Sequence, residues 1–354
     1  DDFQYRSIYR LEHNDIVFVS APTSAGKTVI ADYAIQLALN HKMRAIYTSP
    51  IKALSNQKFD EFTKKFGDVV IVTGDISYNK KAPVLIMTTE ILWSKLYNGD
   101  DSLRDVETVI FDECHFISEK ERGVVWEESI ILMPSNINMV FLSATIPNSD
   151  QLASWISRSK EKPVYIEIRH ERPIPLSHSL YYQRKFYKVV DNAQNDTVGK
   201  PSFNENLVKK AEKAFNEDKK YSRKFNIQNT DNYWKNLILD LDKNDQLPAL
   251  FFTFDINQIN KYAKNVQNVK LLTGKQEKFV TKFFYKCIKK LPEQDRDLPE
   301  ITEMLELLKC GIGVHHSGLL RIMKESVEVL LMNGYLKVVF CTSSVAMGIN
   351  VPVR

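Results

Sequence analysis

Several things are scarce in this chain, and each scarcity excludes something. There are 4 cysteines among 354 residues. Cys114, Cys287, Cys310 and Cys341 stand far apart, with no C-x-x-C pair and no neighbouring histidine ligands, so neither a zinc site nor a disulfide framework is expected. Reduced thiols of an intracellular protein are the default. No run approaches the ~18 apolar residues of a membrane-spanning helix, and no cleavable signal opens the chain. No self-similarity appears at the roughly 20–50-residue period of solenoids. The net charge is only +4, so there is no polybasic domain, and any contact with nucleic acid must come from a local groove rather than a global field. What remains is a globular composition, 44% hydrophobic, at a length that suits two domains of ordinary size.

The first informative segment follows Ile16 to Ser20, a β-branched and aromatic run that reads as a buried strand, and precedes Val29 to Leu39, which has helical character. Between them stand Ala21, Pro22, Thr23, Ser24, Ala25, Gly26, Lys27 and Thr28. Small residues at such a junction let backbone N–H groups turn inward around phosphate oxygens at a helix N-terminus, where the dipole favours anions. Lys27 is placed to reach the β- and γ-phosphates of ATP and the Thr28 hydroxyl to ligate Mg²⁺. The strict phosphate-loop pattern opens with Gly, and Ala21 stands there instead, so the loop alone leaves an ordinary strand–turn–helix open.

A second segment narrows the choice. Val106 to Phe111 is another apolar strand, and it ends on Asp112-Glu113-Cys114-His115. Ligands of open parallel sheets bind at the carboxyl ends of the strands. Asp112 is expected to hold Mg²⁺, and Glu113 to orient or deprotonate the attacking water. The two segments together describe a nucleoside triphosphatase with catalytic Lys27, Asp112, Glu113 and His115. A kinase or GTPase has no evident use for that histidine, whose presence points to helicases.

Strands and helices alternate through the first 168 residues, with strands expected at 15–20, 44–48, 69–72, 84–88, 106–111, 139–142 and 163–168 and helices at stretches such as 124–132 and 149–157. This alternation implies a parallel sheet covered on both faces. Residues 191–235 are rich in Asn, Asp and Lys with little apolar periodicity, and read as a long surface insertion, partly mobile. Alternation resumes with Leu247 to Phe254 and ends with Leu336 to Cys341. The fold class is α/β, with a first domain over 1–168 and a second over 169–354. Smaller signals have plain readings. His315-His316 lacks a third metal ligand; Tyr181-Tyr182 with Arg184, Lys185 and Tyr187 suits a half-buried strand better than a nucleic-acid site. Lys209, Lys210, Lys213, Lys219 and Lys220 suit a solvated helix face, and Trp126 and Trp155 the core.

Longer strings allow comparison with a family. Thr48-Ser49-Pro50-Ile51-Lys52-Ala53-Leu54-Ser55-Asn56-Gln57-Lys58, Thr73-Gly74-Asp75, Thr88-Thr89-Glu90-Ile91-Leu92, Ser143-Ala144-Thr145, Gly313-Val314-His315-His316-Ser317-Gly318-Leu319-Leu320 and Met347-Gly348-Ile349-Asn350-Val351-Pro352 occur in one order along nearly the whole chain. In these strings the chain resembles the superfamily 2 DExH-box RNA helicases of the superkiller-like group. Glu121 to Glu128, Phe141 to Asn148 and Leu291 to Pro299 look most like its nuclear exosome-associated, TRAMP-type branch.

The resemblance implies two RecA-like parallel-sheet domains in tandem. It assigns Gln4 to adenine, Phe3, Gly348 and Asn350 to ATP, and Ser143, Ala144 and Thr145 to coupling of ATP state to strand grip. It assigns Pro50, Lys52, Gly74, Asp75, Thr88, Thr89, Glu90, His316, Ser317, Gly318 and Thr342 to single-stranded RNA. It implies 3′-to-5′ translocation, unwinding, and exosome and polyadenylation-complex partners in the nucleus, with no membrane and no sign of a homo-oligomer. The alternatives are a cytoplasmic superkiller-type mRNA-decay helicase, or an ATP-gated RNA clamp without processive unwinding. The family's arginine-finger motif would follow Arg354, so the resemblance implies an incomplete second domain and weak ATP turnover by these residues alone. Three departures stand out: Pro22 where His is usual, Arg321 where Pro is usual, and Cys341-Thr342-Ser343-Ser344-Val345 in place of an Ala-Thr-Glu-Thr-Phe run.

Overall fold

The apolar runs that the sequence marks as strands line up side by side in a computed structural model, which describes residues 1–72, 82–119, 122–172, 176–191, 202–221 and 230–342. The elements begin with α1 (Asp2–Glu12), whose buried Phe3, Ser7 and Leu11 recur every four residues along one face. There follow β1 (Ile16–Ser20), α2 (Thr28–Asn40), β2 (Arg44–Ser49), α3 (Lys52–Phe66), β3 (Val69–Ile71), β4 (Val84–Thr88), α4 (Thr89–Tyr97), β5 (Val106–Phe111), α5 (Gly123–Leu132), β6 (Asn138–Ser143), α6 (Ser149–Lys160) and β7 (Val164–Ile168). The seven strands form one sheet in the order β3-β4-β2-β5-β6-β1-β7, and every pairing is parallel. Strands β1, β4 and β6 are buried along their whole length. That is why they read as continuous apolar runs rather than as alternation.

Two apolar clusters cover the faces of this sheet. One gathers Ile30, Ala34 and Ile35 of α2 with Tyr47 and Phe62. The other stacks Phe18, Phe111 and Phe141 beneath Trp126. Trp126 lies in the core and Trp155 packs partly buried against it.

The chain divides into two compact units: among the described residues the first holds Asp1–Leu176 and Ser202, the second Ser177–Asp191 and the residues from Phe203 on. The second unit opens with an antiparallel hairpin of β8 (Ser177–Tyr182) and β9 (Lys185–Asp191), in which Tyr181 and Tyr182 are half-buried. Then come β10 (Ser202–Phe203), α7 (Glu205–Tyr221), α8 (Thr230–Lys243), β11 (Ala249–Phe252), α9 (Ile256–Val266), α10 (Gly274–Ile288), α11 (Pro299–Lys309), β12 (Ile312–His315), α12 (Arg321–Met332) and β13 (Val338–Cys341). Strands β11, β13 and β12 form a parallel sheet in that order, with Val280, Phe284, Leu308, Leu330 and Phe340 in its core.

The stretch 191–235, read as a surface insertion whose lysines suit a solvated helix face, contains the 17-residue helix α7. Ala211 is buried while Lys209, Lys210 and Lys213 are exposed, an amphipathic stripe hidden beneath the Asn- and Lys-rich composition. Residues 192–201 and 222–229, to which mobility was also assigned, lie outside the described residues. Arg321, a departure without an evident cause in the sequence, is the first residue of α12. Proline suits that position because its missing N–H has no intrahelical role there; Arg321 instead ion-pairs with Glu325 one turn on, at 2.6 Å.

Candidate active site

The carboxyl ends of β1 and β5 carry the two segments that the sequence singles out, and the structure brings them together. The Ala21 N–H donates to the Ser143 carbonyl at the end of β6 (3.1 Å). An alanine serves at this position because only Ser24 and Gly26 of the loop need a positive φ, at 67° and 90°. A Cβ at Gly26 would also come within 2.6 Å of the Gln4 amide nitrogen, which donates to the Gly26 carbonyl at 3.0 Å. Pro22 takes part through its carbonyl alone, so the usual histidine side chain is dispensable there.

Lys27 turns its ammonium back into the loop, donating to the Ala21 carbonyl at 2.8 Å and the Pro22 carbonyl at 3.1 Å. Burial lowers its pKa, an effect that Glu113 and Asp112 oppose. Asp112 is buried as well. Its carboxylate accepts from the Tyr47 hydroxyl and from the Glu113 N–H at 3.0 Å. Glu113 has a left-handed backbone, φ 52°, an uncommon conformation for a non-glycine residue. Burial raises the pKa of both acids. Asp112 has donors for its charge, whereas Glu113 is pushed up to about 7 by burial and then by Asp112.

His115 stands with Nδ1 3.4 Å from Glu113 Oε2 and accepts from the Ala144 N–H at the same distance. Burial, then Lys27, lowers its pKa, so the ring is neutral and Nδ1 is free to accept. That bond joins the acidic segment to the Ser143-Ala144-Thr145 turn, where Ser143 is buried and Thr145 is exposed. Cys114 is a buried thiol, pushed up to about 12 chiefly by burial, and chemically inert.

Sequence reasoning missed two residues here. Tyr47 belongs to β2 and Lys58 to α3, and neither lies in a pattern that announces a role at this site. Lys58 Nζ lies 3.3 Å from Thr28 Oγ1 and 2.8 Å from Glu61 Oε2, close enough to lower the pKa of Asp112 and of Glu113. A protein cation thus stands beside the position where the Thr28 hydroxyl and the acidic pair would seat a metal. The residues fit a divalent ion bound with a triphosphate. The donors are hard oxygens, and no group of three or more His, Cys, Asp or Glu able to hold a metal occurs among the described residues. Such an ion would rely on substrate phosphates and water, as Mg²⁺ does.

The other expected positions distribute unevenly. Phe3 is buried with the Arg169 guanidinium 5.5 Å over its ring. Lys52 opens α3. Thr88 and Thr89 are buried. Glu90 is engaged by Arg122, and the same guanidinium bonds the Pro50 carbonyl. In the second unit His316 is buried and its Nδ1 accepts from the Gly318 N–H at 3.2 Å, while Ser317 and Gly318 are exposed. His315 Nε2 pairs with Glu328 at 2.7 Å, and the Thr342 N–H donates to the His315 carbonyl at 3.2 Å. Gly74, Asp75, Gly348, Asn350 and Ser343-Ser344 lie outside the described residues. Among the described residues no helix is long and apolar enough to cross a membrane.

Comparison with known proteins agrees with this geometry. The family model described as DEAD/DEAH box helicase matches residues 1–152. Superkiller complex protein 2 of Mus musculus is 43% identical, over all of this chain and 29% of that protein. Exosome RNA helicase MTR4 of Homo sapiens is likewise 43% identical, over all of this chain and 34% of its own length. Antiviral helicase SKI2 of Saccharomyces cerevisiae is 38% identical, covering all of this chain and 31% of that protein. The chain thus spans about a third of the length of the relatives it matches.

Proposed function

The chain belongs to the superkiller-like group of DEAD/DEAH box helicases, and on that premise we propose that it is the motor portion of an ATP-dependent RNA helicase that translocates on single-stranded RNA and unwinds structure. One observation carries the reading. Lys27, Thr28, Asp112 and Glu113, far apart in sequence, meet at one sheet edge with two of their charges buried.

Bound Mg²⁺–ATP supplies the phosphoryl group to be transferred and the divalent charge that offsets its oxygens. The chain's own residues bind and orient it. Lys27 exchanges the carbonyls of Ala21 and Pro22 for phosphate oxygens, and loop N–H groups at the start of α2 cradle the anion. Thr28 and Asp112 hold the metal. Glu113, once ionised, takes the proton of the attacking water, and His115 ties that acid to the Ala144 turn. RNA is held by phosphate contacts from the segments after β2 and β4, a sequence-tolerant mode that weakens as salt rises.

The cellular role follows the same reading: RNA delivered to the exosome for processing or decay, in the nucleus, beside polyadenylation-complex subunits. The Glu121–Glu128 and Phe141–Asn148 strings support it, as does similarity to a protein named for the exosome. The equal match to a superkiller complex protein supports cytoplasmic decay as the second reading.

The test is ATP turnover by the full-length protein with and without single-stranded RNA, with Lys27→Ala as the blank, followed by displacement of a duplex bearing a 3′ overhang. RNA-stimulated turnover and displacement support the proposal. Tight binding of both ligands without stimulated turnover favours an ATP-gated clamp, and turnover indifferent to RNA overturns both.

A further inference from the structure

Arg122 belongs to a string that the proposed chemistry does not use, yet it bonds three separate segments. Its Nε donates to Glu90 Oε1 at 3.0 Å, and Nη2 bonds both that oxygen and the Pro50 carbonyl. Glu90 lies in the first turn of α4, and Pro50 lies between β2 and α3. The Pro50 loop is itself closed by Ser49 Oγ, which bonds the Ile51 carbonyl at 3.2 Å and Ser55 Oγ at 2.8 Å. Burial would push Glu90 up, but the bonds from Arg122 and from its own N–H prevail and hold it below the usual range. The pair is thus ionised, and the forked guanidinium matches its two acceptors in a way that a single ammonium does not.

The other end of Arg122 is fixed to the acidic segment. A short 3-10 turn, Cys114–Ser118, follows directly on Glu113, and the Phe116 N–H donates to the Glu113 carbonyl at 3.1 Å. Gly123 sits against that turn so closely that a Cβ would collide with the Ile117 carbonyl oxygen. Its N–H bonds the Glu119 carbonyl at 2.8 Å. Further along α5, Glu128 accepts from the Trp93 indole at 2.6 Å, so α4 and α5 are bonded twice. Hydrogen bonds thus lead from Glu113 to Phe116, from Phe116 to Glu119 and from Glu119 to Gly123, beside which Arg122 reaches Pro50 and Glu90, the kind of network that carries coupling between sites.

We propose that Arg122 is a positioning residue that holds the RNA-facing loops after β2 and β4 in register with the water-activating segment, so that RNA occupancy is read at Glu113. The inference rests on the helicase reading above. It gives Arg122 no contact with ATP, so the residue sets the RNA response rather than basal chemistry.

The experiment uses the full-length protein and compares wild type, Arg122→Lys, Arg122→Gln, Glu90→Gln and the Arg122→Gln/Glu90→Gln double variant. It reads ATP turnover with and without oligouridylate, fluorescence anisotropy of the labelled oligonucleotide, and the melting temperature. In Arg122→Gln, RNA-free turnover is expected to stay within about twofold of wild type while the RNA-stimulated rate falls about tenfold, inside the roughly 5–150-fold range of site-to-site coupling. Arg122→Lys, able to hold Glu90 or Pro50 but not both, falls between. The double variant is expected to be no worse than Arg122→Gln, the non-additivity of residues sharing one interaction. Equal loss of RNA-free and RNA-stimulated turnover, in step with a lower melting temperature, marks a merely structural residue and overturns the proposal. So does undiminished stimulation in Arg122→Gln. Should Arg122→Gln not fold, wild-type stimulation in Arg122→Lys overturns it alone. A wild-type protein without RNA stimulation defeats the helicase reading instead, which keeps the two failures apart.

Discussion

At the carboxyl edge of the seven-stranded sheet the buried groups are charged and partnered: Lys27 by two loop carbonyls, Asp112 by the Tyr47 hydroxyl and the Glu113 N–H. At the corresponding edge of the three-stranded sheet they are imidazoles and a thiol. His315 and His316 are buried there, and Nδ1 of the first and Nε2 of the second have no hydrogen-bond partner among the described residues. Burial, then His315 and Lys324, lowers the His316 pKa, and Cys341 is pushed up to about 12 by burial. Two parallel sheets thus offer different chemistry at equivalent ends. One concentrates charge, as phosphoryl transfer needs. The other presents exposed Ser317 and Gly318 beside buried imidazole rings, which suits grip without reaction.

The contrast breaks most plainly under substitution of a charged group at the first edge. Lys27→Ala is expected to lower ATP turnover by at least about 10²–10³-fold, the scale for removing one preorganised transition-state donor, with the melting temperature little changed. His316→Gln should leave RNA-free turnover far closer to wild type and weaken RNA binding instead. Equal losses of turnover from the two changes would erase the distinction.

Packing sharpens it next. Gly123→Ala meets a backbone carbonyl, whereas a Cβ at Gly313 meets only side-chain carbons, the nearest Leu336 Cδ1 at 2.9 Å. Overpacking costs about 1–3 kcal/mol, and denaturant melts should place Gly123→Ala at the upper end and Gly313→Ala below it.

Acidity gives a smaller effect with a definite sign. The Glu113 carboxyl lies near 7 when folded, against 4.5 as its ordinary value, so the folded state holds the proton that the unfolded state has released. Stability from this group is therefore present below about 4.5 and lost as pH rises through about 7. In metal-free buffer the melting temperature of Glu113→Gln, measured relative to wild type, should rise across that window and level off above it. A difference constant with pH would count against the raised value.

Smallest is the hairpin anchor, where Asp240 accepts from Tyr181 and from Arg184. Arg184→Ala is expected to speed amide exchange within β8 and β9 only, leaving the global melt unchanged.

Much of this was legible in the sequence where the signal is local. Each β-branched run flanked by turn residues became a strand within two residues of its expected ends. Ala21 to Thr28 and Asp112 to His115 also came together as their types predict. The partners were not legible. Tyr47 lies 65 residues from Asp112, Lys58 lies 30 from Thr28, and Arg122 lies 72 from Pro50, so only the folded sheet makes them neighbours. Helix α7 was legible only in part: its lysines read as a solvated helix face, while the surrounding composition spoke louder than the period of Leu207, Val208 and Ala211. The exposed face of β8, from Ser177 to Leu180, lacks the apolar run on which strand reading depends.

Lys58 changes what a calorimeter would record. Its ammonium stands 3.3 Å from the Thr28 hydroxyl and 2.8 Å from Glu61, so a divalent ion, were one to seat beside Thr28, would arrive where a cation already stands, and its heat and salt dependence would be those of an exchange.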